Sequence, residues 1–110
     1  MAKPELEFTN VEAFPWQPVD GYPAGVYERI LSVDEATGSV TRLARFDPGV
    51  ETSGTLTHDF LEEVYILEGS FVQGNQVFTA GMYACRPPGM KHGPYKTPNG
   101  CVTFEIRYYL

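Results

Sequence analysis

A chain of 110 residues with 43% hydrophobic and 14% aromatic content has the length and composition of one folded domain with a single core. Fourteen acidic residues against eight basic ones leave a formal net charge of -6, which argues against the clustered Lys and Arg that a phosphate backbone needs, so no nucleic-acid partner is expected. No apolar run approaches membrane-spanning length, and the opening MAKPELEF lacks a basic segment followed by an apolar core; the expected address is cytoplasmic, with no membrane partner.

The first twenty-five residues carry Phe8, Phe14, Pro15, Trp16, Pro18, Tyr22 and Pro23 without a helical period. Such a stretch reads as an extended arm, residues 1–25, whose large side chains pack on the barrel or on a dimer partner. From Val26 onward, short strand-like runs alternate with Gly, Pro and Asn every eight to twelve residues, the punctuation of an all-β domain over residues 26–110. Strands are expected at Val26–Val33, Ser39–Phe46, Glu63–Leu67, Ser70–Gln73, Gln76–Phe78, Met82–Arg86 and Val102–Tyr109. Turns are expected at Glu35–Gly38, Asp47–Gly49, Gly74–Asn75, Pro87–Gly89 and Pro98–Gly100. In the last strand Val102, Phe104, Ile106 and Tyr108 alternate with Thr103, Glu105, Arg107 and Tyr109, a period of two that assigns one face to the core. Cys85 and Cys101 are expected to be free, buried thiols, Cys85 serving packing.

Chemistry is concentrated in the stretch THDFLEEVYILEG and in the Pro-Pro-Gly turn that follows it. The stretch places His58 ahead of Glu62 and Glu63, and the turn precedes the only other histidine, His92. Imidazole and carboxylate are the side chains that hold a borderline divalent metal, so His58, Glu62 and His92 on adjacent strands form either a metal site or a hydrogen-bonded polar cluster. Neighbours on a strand point opposite ways, so Glu63 and Asp59 are expected to face away from it. Arg86, just before the turn, either anchors an anionic substrate group or pairs with a surface acid. Phe60, Tyr83 and Tyr95 either line a cavity or fill plain core. Both histidines have better-spaced partners than a nucleophile, and no Gly-rich loop opens a helix, so nucleophilic hydrolysis and phosphate cradling are set aside.

The residues that bear this chemistry resemble the two motifs of a single-domain cupin of the RmlC-like jelly-roll superfamily. His58, three residues, Glu62, six residues and Gly69 match the second half of the first motif; Gly81, Pro87, Gly89 and His92 match the second. With the spacer the resemblance spans roughly Gly49 to His92, about two-fifths of the chain. Two departures stand out: Leu56 occupies the place of the family's first histidine, and Lys96 the place of a closing asparagine. The resemblance, which extends to ChrR-type cupins and small diketone or dihydroxyacetophenone dioxygenases, implies a double-stranded β-helix and a homodimer. It implies a divalent metal (Fe, Zn, Mn or Ni) on His58, Glu62 and His92. If Leu56 and His58 lie on one strand, alternation sends both to the same face, and Leu56 becomes an apolar wall beside an open coordination position. The expected function is metal-dependent, oxygenase-type chemistry on a small dicarbonyl or phenolic molecule. A non-enzymatic sensing module and a metal-assisted isomerase, epimerase or cyclase are the alternatives.

Overall fold

The longest strand, β5 (Leu61–Gln73), belongs to two sheets at once, and the rest of the fold is arranged along it. The computed structural model describes residues 3–109. The other strands are β1 (Gln17–Pro18), β2 (Val26–Val33), β3 (Val40–Phe46), β4 (Val50–Glu51), β6 (Gln76–Thr79), β7 (Tyr83–Arg86), β8 (Lys96–Thr97) and β9 (Cys101–Tyr108). One half of β5 lies between β7 and β9, and β3, β2 and β1 extend that antiparallel sheet beyond β9. The other half pairs with β6 and touches β8, which carries β4. The two sheets face each other as the jelly-roll barrel the sequence implies.

The handover between sheets has a local cause. The ladder between β5 and β9 shifts register between Ile66 and Glu68, and Gly69 follows with φ 73°. A β-carbon at Gly69 would stand 2.1 Å from the carbonyl oxygen of Gly100, so only glycine allows the strand to cross β9 so closely. The two strands expected at Glu63–Leu67 and Ser70–Gln73 are therefore one bent strand.

The apolar core is small: Val26, Ala44, Phe46, Val50, Ile66, Phe71, Tyr95 and Cys101 form it, with Phe71 set edge-on against Phe46 at 4.9 Å between centroids. In β9 the period of two is present but the enclosed face is the polar one. Cys101, Thr103 and Glu105 are buried, whereas Val102, Phe104, Ile106 and Tyr108 are only half-buried on the outer surface. The inward positions of β3 likewise hold Arg42 beside Ala44 and Phe46. Both cysteines are free, as expected, but Cys85 is exposed rather than buried. It shares the outer face of β7 with Tyr83, because Arg86 and Ala84 take the inward positions opposite Glu62 and Val64.

The N-terminal segment has a short 3-10 turn at Val11–Ala13, capped by Asn10, whose side-chain oxygen accepts from the Glu12 amide at 2.9 Å. Beyond it, β1 adds to the edge of β2. The Trp16 ring receives the guanidinium groups of Arg29 at 4.5 Å and Arg45 at 4.9 Å, cation–π contacts that tie the segment to β2 and β3. No helix among the described residues is long and apolar enough to cross a membrane.

Candidate metal centre

The barrel interior brings together His58, Glu62 and His92, which are separated by up to thirty-four positions in the chain. Glu62 sits on β5 and points inward, 2% exposed, while Glu63 points out, where it accepts from the Tyr83 hydroxyl at 2.6 Å and the Tyr108 hydroxyl at 3.2 Å. His92 follows the Pro-Pro-Gly turn and is fixed by a reciprocal pair of backbone bonds with Leu56, at 2.7 and 3.0 Å. A ligand atom from each of the three residues lies within 4.8 Å of the others. Nε2 of His58 and Nε2 of His92 are both buried without a hydrogen-bond partner, the state expected of nitrogens that share a cation.

Protonation favours the same use. Burial, then the nearby Arg86 guanidinium and His58, hold the His92 imidazole down at about 4. His58 is also lowered, by burial first and by Arg107 and Arg86, against the pull of Glu62. Two neutral rings with free lone pairs are what a divalent metal needs. The donor set and its spacing therefore fit a metal ion.

The depressed histidine also makes a prediction about stability. An unfolded chain takes up the His92 proton near 6.5, whereas the folded one resists until about 4. Chelator-treated protein should be at full stability above pH 6.5 and lose it progressively as pH falls to about 4. Urea midpoints that stay flat across that window would contradict the assignment.

Behind the three residues lies a charge network that the sequence reading did not anticipate. Glu62 is held on both oxygens: Arg86 Nη1 donates to Oε1 at 2.9 Å and Arg107 Nε to Oε2 at 2.7 Å. Deeper in, Arg42 donates to Glu105 Oε1 through Nε at 3.0 Å and Nη2 at 2.8 Å, and to Glu28 through Nη1 at 2.7 Å. Thr103 completes Glu105 by donating to Oε2 at 2.8 Å. Burial works to raise the Glu105 carboxyl, but Arg42 and Arg107 prevail and hold it well below the usual carboxylate range. The signal for this network lay in β9 itself, where Thr103, Glu105 and Arg107 share one face.

The other expected site residues divide. Leu56 is half-buried and borders, with Glu62, His92 and Arg107, an internal void of about 20 Å³, room for one small species. Phe60 stacks on His58 with ring centroids 4.5 Å apart and lies outside that void. Tyr95 is buried; its hydroxyl accepts from Arg86 Nη2 at 2.6 Å and lies 3.0 Å from His92 Nδ1. Tyr83 is 59% exposed at the rim of a larger cavity of about 290 Å³, which Arg86, His92 and Tyr95 separate from the void. Lys96, in the place of the asparagine, faces solvent beside Glu51.

A curled antiparallel barrel enclosing a His, Glu and His donor set defines the cupin class. The family model of the ChrR Cupin-like domain matches residues 5–108, and the chain belongs to that family. No curated protein sequence matches it significantly. Among solved structures, an RmlC-like cupin from Shewanella frigidimarina is similar at 24% identity and TM-score 0.75, covering 100% of this chain and 96% of its own. An acetylacetone dioxygenase from Acinetobacter johnsonii is similar at 15% identity and TM-score 0.74, covering 98% of this chain and 75% of its own. The anti-sigma factor ChrR of Rhodobacter sphaeroides, solved with SigE, is similar at 21% identity and TM-score 0.65, covering 89% of this chain and 51% of its own. At these identities the likeness shows the fold.

Proposed function

We propose that this cupin is a metal-dependent enzyme acting on a small dicarbonyl or phenolic molecule, with His58, Glu62 and His92 as the metal ligands. The reading is carried by the two unpartnered imidazole nitrogens facing a buried carboxylate. A divalent Fe, Zn, Mn or Ni ion supplies Lewis acidity toward a substrate oxygen and, where it is redox-active, a route for electrons to O₂. The chain does the rest. Phe60 and Arg107 fix the His58 ring and Glu62, Tyr95 orients His92 through Nδ1, and Leu56 keeps one side of the site apolar. Arg86, held between Glu62 and Tyr95, is the anchor for an anionic oxygen.

Elemental analysis of protein purified without chelators tests the metal: about one ion per chain is expected. Added Fe(II) or Zn(II) should bind the wild type and fail to bind a His92→Ala variant. An oxygen electrode with a β-diketone and a catechol then separates oxygenase from isomerase, epimerase or cyclase chemistry, since only the first consumes O₂. Replacing the apolar wall by a fourth ligand, Leu56→His, should tighten Zn(II) binding by roughly tenfold or more. Unchanged affinity would mean that Leu56 does not stand at a coordination position.

The likeness to ChrR favours a second reading, a non-enzymatic metal- or metabolite-sensing module. Ligand binding without turnover on any tested diketone or phenol is its signature. Under either reading the protein is cytoplasmic and homodimeric, with residues 1–25 as an arm and 26–110 as the barrel. The exposed Tyr65, Leu67 and Tyr83 on the outer sheet face support self-association, and a monomer by light scattering at tens of micromolar would count against it.

A further inference from the structure

The interior around Glu62 is balanced in charge before any metal is added. Arg42, Arg86 and Arg107 supply three positive charges, and Glu28, Glu62 and Glu105 supply three negative ones, joined by direct hydrogen bonds. A divalent ion at His58, Glu62 and His92 adds two uncompensated charges in a buried site, beside two guanidinium groups already bound to the same carboxylate. The donor geometry suits a cation, but the charge balance opposes it. An anion is the missing element.

The adjoining cavity of about 290 Å³ is built to receive one. Its walls are apolar, with Val64, Ile66, Phe71, Phe78 and Met82 among them, and Arg86 reaches its inner end beside His92 and Tyr95. Of the residues that border both this cavity and the void next to Glu62, namely Val64, Phe71, Arg86, His92 and Tyr95, Arg86 is the one guanidinium. It is shared between a carboxylate that a metal also wants and a cavity whose other cation, Lys91, is exposed to solvent.

Resting on the metal reading above, we infer that the cavity takes an apolar molecule bearing one carboxylate, which draws Arg86 away from Glu62 and thereby strengthens metal capture at His58, Glu62 and His92. The ligand's negative charge replaces that of Glu62, which Arg86 holds through Nη1 alone, as the partner of the guanidinium. Glu62 is then left with Arg107 and a free oxygen for the ion. Metal and carboxylate bind with positive coupling, and the coupling is reciprocal.

Calorimetry on the chelator-stripped full chain tests this with Zn(II), 3-phenylpropanoate and its uncharged analogue 3-phenylpropanamide. The carboxylate should bind at least about tenfold more tightly than the amide. Saturating carboxylate should tighten Zn(II) at least about fivefold, with Zn(II) tightening the carboxylate by the same factor. In Arg86→Gln the carboxylate should fall to the level of the amide, Zn(II) alone should bind more tightly than in the wild type, and the coupling should vanish. If Arg86→Gln does not fold, Ala84→Leu fills the cavity from the neighbouring inward position of β7 and keeps Glu62, Arg86 and Arg107. It should abolish carboxylate binding and with it the coupling.

Equal binding of amide and carboxylate overturns the cavity assignment whatever the metal does. Zn(II) binding that ignores the carboxylate overturns the coupling and leaves the metal reading standing. Coupling that survives in Arg86→Gln places the carboxylate on the ion itself and removes Arg86 from the account. No Zn(II) binding under any condition overturns the metal reading and the coupling together.

Discussion

Arg42→Met should cost about 3–5 kcal/mol of folding stability, although Arg42 touches neither histidine. The guanidinium is 3% exposed and makes three hydrogen bonds, two to Glu105 and one to Glu28. Glu105 is 5% exposed, and with Arg42 gone it keeps the Thr103 hydroxyl at 2.8 Å and a distant Arg107 nitrogen at 3.7 Å. A buried carboxylate so nearly alone is penalised far beyond the value of the lost bonds, whereas Glu28, 22% exposed, can turn to water. The double variant Arg42→Met, Glu105→Leu removes both charges and should regain most of the loss. Urea unfolding of the two proteins and the wild type measures both numbers. A single-variant loss under about 1 kcal/mol would mean that water enters the barrel and screens Glu105.

The same network marks the boundary of what the chain reveals about itself. His58, Glu62 and His92 could be found because each lies in a short local pattern, and strand alternation alone separates inward Glu62 from outward Glu63. The cost of a β-carbon at Gly69 fixes that register. The polar face of β9 was legible as alternation but not as an interior, because a row of Thr103, Glu105 and Arg107 reads as solvent-facing when the partners are unknown. Those partners stand far off: Arg42 is 63 positions from Glu105, and Glu62 is 45 from Arg107. Only the order of strands, with β9 between β3 and β5, turns charged residues into neutral pairs. Cys85 shows the reverse error. It follows Met82, Tyr83 and Ala84 in the chain, yet it is exposed because Arg86 and Ala84 claim the inner face of a strand of four residues.

Glu62→Gln should lose both metal binding and roughly 3 kcal/mol of stability, and the two losses have separate causes. The amide keeps the shape of the side chain but not the charge that holds Arg86 at 2.9 Å and Arg107 at 2.7 Å. Two guanidinium groups, 16% and 17% exposed, are then left facing a neutral group whose NH₂ end repels one of them. Stability falls for that reason even in the absence of metal. Capture of Zn(II) falls because the one anionic donor of the set is gone while the surrounding cations remain. His58→Ala supplies the contrast. His58 forms no hydrogen bond through its buried Nε2, so its removal should abolish metal binding while sparing the arginine network. If Glu62→Gln binds Zn(II) as tightly as the wild type and still loses stability, then Glu62 serves the arginines alone. The two histidines would then hold whatever they hold without it.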